Sequence, residues 1–355
     1  MSHVIHVNLK DKSYNIEIEK GLLKKVGERI KSLYSGEKIF IVTDQTVSDL
    51  HSKTLLESLS SAGFSVKTEV LVPGEKTKSL RSLEQIYNSM LDFNLTRSDL
   101  VIAFGGGVIG DLCGFAASTY LRGVRFVQIP TTLLAQTDSS VGGKVAVNLE
   151  RGKNLVGSFY QPKAVYIDTA LLDTLDDKTF ADGMAEVIKY ACIKDAEMFE
   201  LIAQNSSRKA IGEIIDYIVF KCCDIKREVV ENDEFDTGER MLLNFGHTIG
   251  HVIEKHYNYD KYTHGMGVST GMCMITDIAE KAGLTEKGTA KKIKSVVSGF
   301  GLPLSVDFEN SNAVLDAVKL DKKNVDGSLN IILLKKIGDS YIYKTTADFF
   351  KEGSR

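Results

Sequence analysis

Between residues 38 and 168 the chain alternates short apolar runs with stretches of helical spacing. "KIFIVTD", "VKTEVLV", "DLVIAFGG", "VRFVQIPTT" and "AVYIDT" read as strands, and "SKTLLESLSSAG" and "SLRSLEQIYNSMLDF", which lie between the first three, read as helices. Apolar strands separated by helices predict a parallel sheet wound by crossovers. Ahead of them, "MSHVIHVNLKDKSYNIEIEK" alternates apolar and polar residues and predicts paired strands around Lys10–Ser13. It lacks the uninterrupted apolar core of a secretory leader. After Asp168 the apolar spacing approaches 3.6 residues and stays there to about residue 300, before "SLNIILLKKIGDSYIYK" predicts two short strands around Gly338-Asp339. The expected organisation is an atypical Rossmann-like α/β domain over residues 1–175 and a mainly α-helical domain over residues 176–355.

Composition bounds the function. A chain of 355 residues, 43% hydrophobic and 26% charged, is too long for one simple core. The 44 basic and 47 acidic residues are mixed along it, for a net charge of −3, which gives no bulk attraction to nucleic acid or an anionic membrane. Anion binding must come from local clusters. No apolar run approaches the ~18 residues that span a bilayer. Cys113, Cys192, Cys222, Cys223 and Cys273 lack metal-type C-x-x-C spacing and lie in apolar or helix-like surroundings, as expected for reduced thiols in a cytoplasmic protein.

In Phe104–Asp111, "FGGGVIGD", Gly105, Gly107 and Gly110 have the spacing of a dinucleotide-binding turn, behind a strand and ahead of the helix-like "DLCGFAASTYL". Glycines there let backbone N–H groups approach a pyrophosphate at a helix N-terminus. The fingerprint also asks for an acid about 20 residues on. Here "VQIPTTLLAQ" offers only the hydroxyls of Thr131 and Thr132. Asp44, closing "IFIVTD", is the acid available for an adenosine ribose, in a sheet of different strand order. Tight packing is the plainer use of such glycines. Asp44, Asp111 and the threonine pair at strand ends favour a cofactor site.

Four of the seven histidines fall in residues 247–264, "HTIGHVIEKHYNYDKYTH". His247, His251 and Glu254 lie at i, i+4 and i+7 on one helical face, and His264 precedes Gly265 in a loop-like stretch. The glutamate that would follow the first histidine in a zincin is missing. Glu186 in "GMAEVIKYACI" is a further carboxylate, with Lys189 at i+3. Its plainer reading is a helix-surface ion pair of ~0.2–0.5 kcal/mol. Spacing alone does not choose between His251 and Glu186 as a third metal ligand.

Lys144 in "QTDSSVGGKVAVN" and Lys189 sit among small and apolar residues, where a buried ammonium needs a partner. Lys153 and Asn154 in "RGKN", Arg240 and Lys322-Lys323 extend the set, although Lys322-Lys323 also reads as ordinary solvated surface. Several cations aimed at one cleft suit a small substrate with more than one negative group, such as carboxylate plus phosphate.

The motifs "GGGVIGDLCGFAASTYLRGVRFVQIPTTLLAQTDSSVGGKVAVN", "GKNLVGSFYQP", "GMAEVIKY", "LLNFGHTIGHVIE", "HGMGV" and "DKK" stand in the order found in the 3-dehydroquinate synthases, which the chain resembles from about Asp44 to Lys323. The resemblance implies conversion of the sugar phosphate 3-deoxy-D-arabino-heptulosonate 7-phosphate to 3-dehydroquinate and phosphate, in the shikimate route to aromatic amino acids. It implies NAD, a divalent metal (zinc, with cobalt an alternative), a homodimer and an active site in the cleft between the domains. It assigns the metal to Glu186, His247 and His264. NAD contacts fall on Asp44, Glu75, Lys78, Gly106, Gly107, Asp111, Thr131, Thr132 and Thr174, with Lys144 and Lys153 also near the cofactor. Substrate contacts and proton transfers fall on Asp138, Lys144, Lys153, Asn154, Lys189, Arg240, Asn244, His251 and Lys322 or Lys323. Arg122 matches an arginine that reaches the neighbouring subunit's site.

One departure stands out: the family commonly reads His-Gly-Glu-Ala-Val where this chain has His264-Gly265-Met266-Gly267-Val268. The candidate ligand stays and a neighbouring acid goes. Against a cyclase acting on another sugar phosphate stand Arg240 and Asn244, which match carboxylate-side contacts. Against a metal-dependent glycerol or alcohol dehydrogenase stands Gly114, where those enzymes carry a lysine. A regulatory NAD-binding protein without activity would be expected to have lost metal ligands or lysines that this chain keeps.

Overall fold

The computed structural model describes residues 2–257, 261–306 and 328–354. The chain divides into two compact units, Met1–Asp176 with Lys226–Glu231, and Asp177–Ile225 with Asn232–Arg355.

The strands of the first unit are β1 (His3–Val7), β2 (Tyr14–Ile18), β3 (Lys38–Asp44), β4 (Ser65–Leu71), β5 (Leu100–Gly105), β6 (Arg125–Pro130), β7 (Lys144–Leu149), β8 (Gly152–Phe159) and β9 (Ala164–Ile167). Its helices are α1 (Val26–Leu33), α2 (Gln45–Ser61), α3 (Leu80–Asp92) and α4 (Gly107–Thr119). Seven strands make one sheet in the order β1-β2-β9-β6-β5-β3-β4, parallel except for the antiparallel β1–β2 pair. The strands read as continuous apolar runs because both of their faces are covered. Ile39, Ile41, Ile102 and Phe104 pack with Leu55 and Leu59 of α2 on one face. Phe40, Val42, Val101 and Ala103 pack with Ile86 of α3 and Leu112 of α4 on the other. Each of these side chains other than Ala103 contributes about 1.5–3 kcal/mol on burial.

The chain steps outward from β3 to β4 and then returns to the far side of β3 as β5. The helices after β3 and β5 therefore cover opposite faces, which opens a crevice at the carboxyl ends of those two strands. The N-terminal strands join the sheet late in sequence. β2 pairs with β9 from Asn15↔Ala164 to Ile18↔Ile167. Just beyond β9, the buried Asp168 carboxylate accepts the N–H groups of Gly21 at 2.7 Å and Leu23 at 2.9 Å.

One expectation needs correcting here, the burial of Lys144. The lysine-bearing segment around Lys144 and Lys153 is the antiparallel hairpin β7–β8, a two-stranded sheet of its own. Lys144 is exposed, because its apolar sequence neighbour Val145 turns inward against α4 while the lysine faces outward. Within the later helical stretch, residues 226–231 group with the first unit.

The second unit contains α5 (Asp177–Lys194), α6 (Ala196–Gln204), α7 (Arg208–Gly212), most of α8 (Ile215–Asn232), α9 (His247–His256), α10 (His264–Lys281), α11 (Thr289–Gly299) and the antiparallel pair β10 (Leu329–Lys336) and β11 (Asp339–Thr345). Helices α9 and α10 cross backbone to backbone. A Cβ on Gly250 would lie 2.9 Å from the Gly267 carbonyl carbon, and one on Gly271 only 2.0 Å from the Gly246 oxygen. Among the described residues no helix is long and apolar enough to cross a membrane.

Candidate active site

Helix α5 is buried along nearly all of its second half, and it carries two charged groups into that interior: Glu186 is 0% and Lys189 1% exposed. Lys189 Nζ bonds Glu186 Oε2 one turn away and sits 4.6 Å from the centre of the Tyr190 ring. The pair is therefore not a surface feature. In the interior its desolvation cost competes with its attraction, so it is weak grounds for stability and strong grounds for a site.

The other carboxylate oxygen, Glu186 Oε1, lies 3.4 Å from Nε2 of His247, the first residue of α9, and 3.2 Å from Nε2 of His264, the first residue of α10. Tetrahedral zinc with bonds of 2.0–2.2 Å sets its ligand atoms about 3.3–3.6 Å apart. The two carboxylate–imidazole distances fall at or near that spacing, and all three donor atoms lie within 4.8 Å of one another, so the set could hold such a metal. Both imidazoles are oriented from behind. His247 Nδ1 is 3.2 Å from the Phe245 carbonyl, and His264 Nδ1 is 2.9 Å from Oε1 of the buried Glu254. The start of α10 is fixed on α5, where Asp182 Oδ1 accepts the Gly265 N–H at 2.7 Å. Gly265 allows that approach, since a Cβ there would be 2.1 Å from the Asp182 carbonyl oxygen.

The two histidines titrate in opposite directions. Burial lowers His247 to about 3, with Lys189 adding to the effect and Glu186 opposing it. Burial also acts to lower His264, but hydrogen bonds with Glu186 and Glu254 override it and raise the group to about 10. Without metal, a proton on His264 together with the Lys189 ammonium thus balances the two buried carboxylates. His251 is exposed and stands edge-on to His247, ring centres 5.4 Å apart. It also forms, with Glu254 and His264, a second set of closely spaced donor atoms among the described residues.

In the first unit, Asp44, Gly105 and Thr131 end or follow the neighbouring strands β3, β5 and β6. Asp44 caps α2, with Oδ1 accepting the Val47 N–H at 3.0 Å. Helix α4 starts at Gly107 with Gly106 as its N-cap and no side chain capping it, so its first N–H groups face outward from the strand end. A Cβ on Gly106 would press on Thr132 at 3.1 Å and one on Gly107 on Ser139 at 3.1 Å. The buried Thr131 Oγ1 has no hydrogen-bond partner among the described residues. Packing accounts for those two glycines, while the uncapped helix start and the orphaned hydroxyl fit a pyrophosphate.

Beside this turn, buried Lys78 bonds Asp111 and donates to Asn154 Oδ1 at 2.5 Å. Burial raises the Asp111 carboxyl, against the pull of Lys78. Glu75 accepts from Asn148 Nδ2 at 2.7 Å, and Thr174 Oγ1 is 2.9 Å from His51 Nε2. Asp138 is held by the buried Lys226, which bonds its carboxylate and donates to its carbonyl oxygen at 2.6 Å. Lys226 escaped the sequence reading because its partner is 88 residues away. Lys153 is half-buried and Asn154 exposed. In the second unit Arg240 is buried, its guanidinium donating to the Glu234 carbonyl oxygen at 2.6 Å, while Asn244 is exposed in the same segment. Arg122 is exposed. Lys322 and Lys323 lie outside the described residues.

Residues 68–182 match the 3-dehydroquinate synthase N-terminal family model, and residues 183–324 the C-terminal one. The chain belongs to the 3-dehydroquinate synthase family. It is 55% identical over 345 residues to the curated 3-dehydroquinate synthase of Clostridium botulinum, covering 97% of this chain and 99% of that one. Among solved structures it is similar to 2-epi-5-epi-valiolone synthase from Streptomyces hygroscopicus with NAD+ and Zn2+ bound, with a TM-score of 0.88, 26% identity and 98% and 97% of the two chains covered. A 2-deoxy-scyllo-inosose synthase complexed with carbaglucose-6-phosphate, NAD+ and Co2+ shares the fold, also at a TM-score of 0.88, with 23% identity and 99% of each chain covered. Within the 3-dehydroquinate synthase family, then, this member carries its charged interior groups on α5, α9 and α10 and its glycine turn between β5 and α4.

Proposed function

We propose that the protein carries out the reaction its family is named for, converting 3-deoxy-D-arabino-heptulosonate 7-phosphate to 3-dehydroquinate and phosphate, with NAD and a divalent metal as cofactors. The observation that carries this reading is the buried Glu186 oxygen facing two imidazole Nε2 atoms at metal-ligand spacing. Glu186, His247 and His264 would hold zinc or cobalt, which would supply Lewis-acid chemistry toward a substrate hydroxyl. Asp44, Glu75, Lys78, Gly106, Gly107, Asp111, Thr131, Thr132 and Thr174 would hold NAD, which would supply reversible hydride acceptance.

The chain's own groups do the rest. Lys189, bonded to the oxygen of Glu186 that turns away from the histidines, fixes the carboxylate's orientation and offers a proton inside the site. His251 stands at the exposed rim, where a proton exchanges with solvent. Arg240, its guanidinium held by Glu234 and its N–H by Asp233, is pre-set for the substrate carboxylate. Asp138, Lys144, Lys153, Asn154 and Asn244 complete the substrate contacts, with Lys322 or Lys323. The reaction needs the cofactor residues of the first unit and the metal residues of the second on one substrate. The departing phosphate serves as its own base.

The same reading includes a cytoplasmic homodimer in which Arg122 reaches the partner's site. Leu121 and Arg122 have φ of 49° and 65°, a left-handed pair that costs non-glycine residues energy and is kept where display matters. Leu121, Leu155 and Phe159 are exposed apolar residues of this unit.

With NAD and zinc, the purified protein is expected to release phosphate from the heptulosonate phosphate without accumulating NADH, and chelation should stop it. Net NADH formation from glycerol, or no phosphate release, would overturn the reading. A second test addresses the departure at Met266-Gly267. Glu254→Ala is expected to weaken zinc binding by about 10–100-fold in chelator competition, since it removes the support behind His264. Glu254→Gln should recover part of this, because its amide oxygen still accepts from Nδ1. Equal zinc affinity in all three proteins would remove Glu254 from this role.

A further inference from the structure

Lys153, Asn154 and Leu155 of β8 stand opposite the single residue Asn148 of β7, because the ladder steps from Val147↔Val156 to Leu149↔Gly152. The surplus length is taken up at Asn154, whose φ of 57° lies in the left-handed region. A bulge of this kind re-aims side chains. Here they are Lys153 and Asn154, two of the substrate groups proposed above.

Asn148 makes the connections that hold this bulge. Its Oδ1 accepts the Asn154 N–H at 2.9 Å, a group the interrupted ladder leaves over. Its Nδ2 donates to Glu75 Oε1 at 2.7 Å, and its own N–H donates to the Lys78 carbonyl oxygen at 2.8 Å. Lys78 closes the circuit by donating to Asn154 Oδ1. One half-buried side chain therefore joins the 75–78 segment to the 153–155 bulge. The position needs a donor and an acceptor on one short planar group, which asparagine has. Aspartate would set a second carboxylate against Glu75, and alanine would offer neither bond.

We propose that Asn148 is a positioning residue that locks the cofactor-side segment, Glu75 and Lys78, to the substrate-side bulge, so that each is held in place by the other. This rests on the assignment of those residues in the proposed function. Asn148 acts only through its neighbours.

The test is direct titration of NAD without substrate, together with amide hydrogen exchange of the free protein and steady-state kinetics. Asn148→Ala is expected to raise the Kd for NAD and the KM for the heptulosonate phosphate by about tenfold each, the worth of one to two net hydrogen bonds, with a smaller change in kcat. Exchange at the Asn154 amide should speed up in Asn148→Ala and stay slow in Asn148→Asp, which keeps the acceptor. Asn148→Asp should weaken NAD binding further than Asn148→Ala, and adding Glu75→Gln should recover part of the loss by re-forming the bond with donor and acceptor exchanged. A residue that merely packed would lower the melting temperature without that recovery. Unchanged NAD affinity in both single variants, or no recovery on the swap, overturns the proposal. Wild type that binds NAD but releases no phosphate overturns the assigned reaction alone, and the titration and exchange data still decide on Asn148. Wild type without NAD affinity overturns this proposal along with the cofactor assignment.

Discussion

Glu186→Gln is expected to abolish phosphate release and to leave the purified protein without bound zinc. It removes the oxygen that faces both His247 and His264 as an anion. The loss should exceed the roughly 10–100-fold that removal of a supporting residue costs. It also takes away the carboxylate to which the buried Lys189 ammonium is bonded. Breaking one side of a buried pair costs about 3–5 kcal/mol, so the melting temperature should fall as well. The two effects separate in Glu186→Gln with Lys189→Met, which removes both charges of that pair. That double variant should regain most of the thermal stability while still binding no zinc and showing no activity. Zinc content by metal analysis and thermal unfolding of the three proteins check this. Wild-type zinc content in Glu186→Gln would show that the metal, if any, is held elsewhere.

Gly271→Ala is expected to damage both stability and metal binding, although residue 271 touches none of the candidate ligands in sequence. A Cβ there would sit 2.0 Å from the backbone oxygen of Gly246 and 3.1 Å from the Gly250 nitrogen. Neither atom can turn aside as a side chain would, so helices α9 and α10 must part. Overpacking of this kind costs about 1–3 kcal/mol or more. Because His247 and His264 begin those two helices, their separation from Glu186 should grow and zinc affinity should drop. Gly212→Ala is the matched control. Nothing lies within 4 Å of its added Cβ, and it should be neutral or slightly stabilising. If Gly271→Ala melts and binds zinc like wild type, the close helix crossing does not set the metal geometry.

Much of the first unit could be read from its residues because strands buried on both faces leave unbroken apolar runs. Ile39, Phe40, Ile41 and Val42 alternate between two cores, and either core alone would have given a weaker signal. The hairpin β7–β8 was harder to read for the opposite reason. Only one of its faces packs, so Lys144 and Asn148 interrupt the pattern and the segment resembles a loop. The same alternation explains why Lys144 was expected to be buried: its apolar neighbours in sequence point the other way. Histidine crowding marked a site, yet nothing in the spacing of His247, His251 and His264 says that α5 passes beside them. Glu186 and Lys189, three residues apart, look like any surface pair until α5 is enclosed. The links from Lys226 to Asp138 and from Asn148 to Glu75 span 88 and 73 residues and leave no local pattern.

The pairing of β2 with β9 has a consequence for synthesis. Gly21 and Leu23 depend on Asp168, and Leu23 is 145 residues from it in the chain. At about 5–20 residues per second on the ribosome, the N-terminal strands emerge and wait on the order of 7–30 s before the strand they pair with exists. During that interval Ile16 and Ile18, fully buried in the finished protein, lack the β9 residues they pair beside. A strand made early thus waits for one made late, and the pairing of β2 is completed only by β9.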